Sequence, residues 1–149
     1  MARFFLKREE TKGLSPGSLV FIGNKKVDNI RIRVIDYDGA QLKEDELKDI
    51  AEGAEFKRTN TVTWINVDGL HDLALMKEIG SIFDLHPLLL EDILNTGQRP
   101  KLEEFENCLF LVLKCYVMTW KTNDYFRTIK YGAGRYISAD LSGATGRRI

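Results

Sequence analysis

Thr61-Val-Thr-Trp-Ile-Asn-Val67, closed by Asp68-Gly69, is followed at once by Asp72-Leu-Ala-Leu-Met-Lys-Glu-Ile-Gly-Ser-Ile-Phe83 and Pro87-Leu-Leu-Leu-Glu-Asp-Ile-Leu94. The first stretch is rich in β-branched residues and ends in a turn pair, which predicts a strand. In the second, Leu73, Met76, Ile79 and Phe83 recur at helical spacing, with Asp72 placed to cap the first turn. Asp84 to His86 interrupt it. Pro87, whose fixed φ suits a first helical turn, opens another helix through Leu88, Leu90, Ile93 and Leu94, and Gly97 and Pro100 end it.

Upstream, Ser18 to Ile22 and Ile30 to Tyr37 have β character and enclose a Gly/Asn/Asp-rich turn, so a hairpin is expected. Leu42, Leu47, Ile50 and Ala51 fall near helical spacing among acids and lysines, which predicts an amphipathic surface helix. Downstream, Lys101 to Phe105 and Asn107 to Met118 read as extended. The run Leu109 to Leu113 is dense enough for a central strand buried on both faces. Strands interleaved with helices predict an α/β fold, a mixed β-sheet sandwiched between helices, with Trp64, Ile65, Leu109, Leu111 and Leu113 in its core.

A chain of 149 residues has room for one domain, and 44% hydrophobic residues exclude wholesale disorder. The longest apolar run, Cys108 to Leu113, is far short of the ~20 residues that cross a bilayer. Twenty-two basic and 22 acidic side chains cancel, so no global field draws nucleic acid. Cys108 and Cys115 within one strand would lie about 23 Å apart, too far for a disulfide, and are expected to be buried thiols. His71 and His86 lack metal-cluster spacing. An enzyme is not expected, because no nucleophile with a base, catalytic histidine pair or phosphate loop appears. Gly132-Ala-Gly134 lacks the third glycine and the strand-helix context of a dinucleotide site.

Thr63-Trp-Ile-Asn-Val-Asp-Gly69, then His86-Pro-Leu-Leu-Leu-Glu-Asp-Ile-Leu-Asn95, then Gln98-Arg-Pro-Lys101 together resemble the cytoplasmic N-terminal domain of the CorA-type magnesium/cobalt transporters. The resemblance runs from about Leu14 to Met118. It implies a homo-oligomer, pentameric in the intact family, on the cytoplasmic side of the inner membrane, held there only through C-terminal helices that this chain lacks. The fragment itself is then expected to be soluble and cytoplasmic, with no transport of its own. By resemblance, Asp92 matches the family's intersubunit regulatory metal site for Mg2+ (or Co2+) and Glu91 an adjacent, weaker acidic position. Their partner acids would come from later helices of a neighbouring subunit, so a surviving half-site binds weakly. Hard cations favour such carboxylate oxygens and keep several waters, which suits one or two carboxylates from each side of an interface.

Without the resemblance, Glu91 and Asp92 are simply a solvated helix face. Asn66 and Asp68 are expected to bond their own backbone at the turn, Trp64 to pack in the core, and His86 to start the helix rather than bind metal. Gln98, Arg99 and Lys101 are placed to pair with acids where the helix meets the next strand. The alternative to a transporter fragment is a stand-alone cytosolic metal-binding or interaction module.

After Phe126 the resemblance stops, which divides the chain into a CorA-like unit, 1–126, and a non-homologous tail, 127–149. The tail carries five basic residues and one acid, against 17 basic and 21 acidic before it. Permitted codons for Phe126 to Gly134, read one base later, encode Leu-Glu-Gln-Leu-Ser-Met-Val-Leu, and those for Leu141 to Arg148 encode Phe-Gln-Glu-Arg-Pro-Gly-Asp-Val at the same offset. Both resemble the family's next strands, so the tail reads as out of frame and is expected to add little to the core. Sequencing the coding DNA checks this: the shifted frame is expected to continue the family pattern, and a shifted frame broken by early stop codons would count against it.

Overall fold

The structure, a computed structural model, describes residues 13–23, 25, 27–106 and 108–113, and the backbone alone of 115–117, 125–127 and 136–140. Its strands are β1 (Arg31–Tyr37), β2 (Leu42–Leu47), β3 (Val62–Asp68), β4 (Lys101–Phe105), β5 (Cys108–Val112), β6 (Cys115–Val117), β7 (Tyr125–Arg127) and β8 (Tyr136–Asp140). Its helices are a 3₁₀ helix, Ile50–Arg58, and the α-helices α1 (Leu73–Ile82) and α2 (Pro87–Leu94). A mixed sheet of order β2-β1-β3-β8 and small two-stranded sheets combine with these helices into the expected α/β architecture.

Side-chain alternation along β3 sets the sheet. Thr63, Ile65 and Val67 are buried, while Val62, Trp64, Asn66 and Asp68 on the other face are half-buried. Antiparallel register brings Ile32 opposite Val67 and Val34 opposite Ile65, so β1 extends the same apolar face. At its end Asp36 Oδ1 accepts from the hydroxyls of Thr61 and Thr63, each at 2.7 Å. That satisfies the buried Thr63, which would otherwise carry the cost of an unpaired polar group. On the opposite face Asp68 accepts from Arg33 at 3.1 Å and from Asn66 Nδ2 at 2.7 Å. Asn66 and Asp68 therefore meet in a side-chain network, where the sequence predicts bonds to their own backbone at the turn. Trp64 is half-buried on that face, and the core positions belong to its neighbours Thr63 and Ile65.

Leu42–Leu47 is a strand, contrary to the expected surface helix, and the hairpin is β1 with β2. Asp38 makes the turn by accepting from the Ala40 and Gln41 amides at 2.8 and 2.9 Å. β2 buries only Leu47, because an edge strand covered with charges needs no apolar face. Ser18 to Ile22 is likewise no hairpin partner. Ile22 bridges Asn95 at the end of α2, exchanging bonds with Leu94 and Thr96 at 3.0 Å each.

The helix assignments follow the sequence closely. Asp72 caps α1, accepting from the amides of Ala74 and Leu75, and His86 Nδ1 accepts from Leu88 N at the start of α2. Asp84 takes the left-handed conformation, φ 54°, that closes α1 with a Leu85 to Gly80 backbone bond. Gly80 faces Leu90 so closely that a side chain there would collide with it, which lets α1 and α2 approach. The buried face of α2 is Leu89, Leu90, Ile93 and Leu94, with Leu88 exposed.

β5 departs most from expectation. It pairs with β4 in a two-stranded sheet, and Cys108, Phe110 and Val112 are buried while Leu109 and Leu113 are exposed. A run apolar at every position carries no phase. The pairing with β4 selects it, placing Phe105, Glu103 and Lys101 opposite the three buried residues. Cys108 is a free thiol whose pKa burial pushes up. β8 lies parallel to β3, Trp64 opposite Tyr136, while its side chains and the contribution of the tail to the core lie outside the described residues. Cys108 and Cys115 do not share the single strand expected from the sequence: they lie in β5 and β6, which belong to different sheets, and the burial of the Cys115 thiol lies outside the described residues.

Two measurements check this. In urea denaturation, Phe110→Ala is expected to cost ~3–5 kcal/mol and Leu109→Ala less than ~0.5 kcal/mol. The reverse order would restore the phase expected from the sequence.

Candidate functional site

The acids singled out from the sequence lie in the last turn and a half of α2, a helix fixed by the His86 cap at one end and by Leu89, Leu90, Ile93 and Leu94 underneath. Successive helical residues diverge by about 100°. Glu91 and Asp92 accordingly meet different elements, and both are half-buried rather than fully solvated.

Glu91 Oε2 accepts the Gly17 amide at 2.8 Å. Gly17 has φ 82°, a conformation other residues resist, and a Cβ added there would lie 3.3 Å from Pro87 Cβ. The N-terminal segment is thus strapped to the middle and the C-terminal end of α2, by Gly17 on Glu91 and by Ile22 on Leu94 and Thr96. Nothing in the sequence pattern pointed to the Gly17 contact, since residues 74 apart leave no local signal.

Asp92 is built into the junction that follows its helix. Gln98 Nε2 donates to the Asp92 backbone carbonyl at 2.8 Å and to its Oδ1 at 2.7 Å, while Lys101 Nζ donates to Oδ2 at 2.6 Å. Because both partners of the Gln98 amide are acceptors, its nitrogen end must face Asp92. Lys101 also reaches Glu103 at 2.9 Å and lies 5.1 Å from the centre of the Phe110 ring. The expected pairing of Gln98 and Lys101 with an acid is therefore realised, and the acid is Asp92. Burial pulls the Lys101 pKa down, but its hydrogen bonds to Asp92 and Glu103, and their charges, outweigh that and hold it above the usual lysine value.

The chemistry of the donors suits a hard cation: two carboxylates, each oxygen carrying lone pairs beyond those already used. The number does not complete a site. Among the described residues no three His, Cys, Asp or Glu side chains come together as a metal cluster. A cation at Asp92 needs further oxygens from water or from another chain. His86 is committed to its cap, as expected, and His71 lines an open cleft with Asp28 and Asp72.

No family model matches the chain. Over 105 residues, 70% of its length, it is 43% identical to the cobalt/magnesium transport protein CorA of Thermotoga maritima. The chain spans 30% of the length of that relative. That relative is a transport protein by name, and among the described residues no helix is long and apolar enough to cross a membrane.

The Asp92 junction predicts a measurable coupling. Asp92→Asn is expected to lower the Lys101 pKa, seen by NMR of its ε-carbon, and to cost about 1 kcal/mol of stability at neutral pH. Since the folded-state pKa of Lys101 is raised, that contribution is present below the ordinary lysine pKa and is lost as pH rises through the folded value. A pKa that does not move in Asp92→Asn would show that other groups hold the ammonium.

Proposed function

We propose that this chain is the regulatory domain of a CorA-type divalent cation transporter, working on the cytoplasmic side of the inner membrane. The observation that carries the proposal is the 43% identity over 105 residues to a cobalt/magnesium transport protein. In this reading the domain belongs to a homo-oligomer, pentameric when intact, and its role is to sense Mg2+ or Co2+ and bias a pore that the described residues do not form. Asp92 is the principal cation ligand and Glu91 an accessory acid, each contributing to a weak site completed by a neighbouring copy. Support comes from their oxygen chemistry, their half-exposure on α2, and a junction that holds the Asp92 carboxylate in one orientation.

The proposal also takes residues 1–126 as the CorA-like unit and the tail as out of frame. The in-register pairing of Tyr136–Asp140 with β3 favours a second reading, in which the tail is an integral strand and the chain a stand-alone metal-binding or interaction module.

Two experiments test the first reading. Liposomes containing only this polypeptide are expected to take up no Mg2+, and uptake would refute the regulatory assignment. Calorimetry of the chain with MgCl2 is expected to show at most weak binding, reduced further by Asp92→Ala. Binding that Asp92→Ala leaves intact would place the cation elsewhere.

A further inference from the structure

We propose that Lys101 is the resident counter-ion of Asp92 and competes with a divalent cation for that carboxylate, so that a cation binds only by ejecting the ammonium group. The inference rests on the reading of Asp92 as a cation ligand and adds the group that regulates it.

The placement of Lys101 carries the argument. It is the first residue of β4, nine positions after Asp92, and the short connection through Gln98 and Pro100 returns it to the helix it has just left. Its side chain is 27% exposed, and its ammonium contacts three groups: Asp92 at 2.6 Å, Glu103 at 2.9 Å and the Phe110 ring at 5.1 Å. A lysine ammonium is a compact point charge, so at Asp92 it occupies the space and satisfies the charge that a divalent ion would. Two cations at one carboxylate repel each other, and at short range with partial burial that repulsion is not screened away. Because the ammonium is tethered, it competes at the high effective concentration of an intramolecular ligand.

Glu103 gives the ejected group a place to go. It already contacts Lys101, and its side chain is 44% exposed, so the ammonium can leave Asp92 without losing every partner. Gln98 remains on the other Asp92 oxygen and keeps the carboxylate oriented. The Gln98 Oε1 atom is buried and has no hydrogen-bond partner among the described residues. Lys101 and Gln98 thus divide the work: one sets how readily the cation enters, the other holds the ligand still.

The test is calorimetric titration of the full chain with CoCl2 and with MgCl2, comparing wild type with Lys101→Met, Lys101→Gln, Lys101→Arg and Asp92→Asn, each first checked by thermal melting. Lys101→Met and Lys101→Gln are expected to bind at least tenfold more tightly than wild type. Lys101→Arg, which keeps the charge, is expected to show no such gain, and the gain is expected to vanish in Lys101→Met/Asp92→Asn. A purely structural lysine would instead give equal changes in the neutral and charged variants. Affinity within twofold of wild type in both neutral variants, or no binding by either, overturns the counter-ion role. If cation binding is lost in Asp92→Asn but unmoved in the neutral lysine variants, only the counter-ion role fails. If the gain persists in the double variant, the assignment of Asp92 as ligand fails as well.

Discussion

The inward alternation of Thr63, Ile65 and Val67 on β3 is the constraint from which the rest of the structure follows. β3 is flanked by β1 and β8, and its inner face joins Ile32 and Val34 to the helices in one buried cluster. A slip of one residue would turn Asn66 and Asp68 into that cluster and Ile65 and Val67 out of it, leaving a carboxylate without the Arg33 pairing it now has. With register fixed in this way, α1 lays Met76 and Ile79 into the same cluster, and the absence of a side chain at Gly80 lets α2 settle Leu90 against it. The position of Asp92 is therefore inherited from the sheet through two helix contacts.

Around Asp92 the chain uses neighbours in sequence. Gln98 and Lys101 lie within nine residues of it, so ordering them there closes a short loop and costs little entropy. The remote contact is the strap from Gly17 and Ile22, which ties an otherwise irregular segment to the middle and the C-terminal end of α2. Together they leave α2 with its acids half-exposed and oriented.

Legibility in the sequence tracked how local the physics was. α1 and α2 were legible to within a residue because caps and periodicity are local: Asp72, His86 and Pro87 announce their own positions. β3 was legible because it alternates. Leu42–Leu47 was not, since an edge strand with one buried residue, Leu47, has the spacing of a charged helix until β1 is known to lie beside it. The burial phase of Leu109 to Leu113 was not, since a continuous apolar run has none until β4 selects it. At the site, Lys101 and Gln98 were legible as partners of some acid but not of which one; the resemblance singled out Asp92 only as a metal-site residue. The Gly17 contact to Glu91 was invisible because nothing near residue 17 depends on residue 91 until both are folded.

The central claim is that this domain, through α2, couples cation binding to a pore. The most direct measurement is Mg2+ flux through a chimera in which the homologous 105-residue stretch of the Thermotoga maritima protein is replaced by that of this chain. The account predicts a transporting chimera whose flux falls as Mg2+ rises on the side bearing the domain, with Asp92→Asn shifting that response to higher concentration. A chimera that assembles and transports but is indifferent to Mg2+ on that side, with or without Asp92, would contradict it.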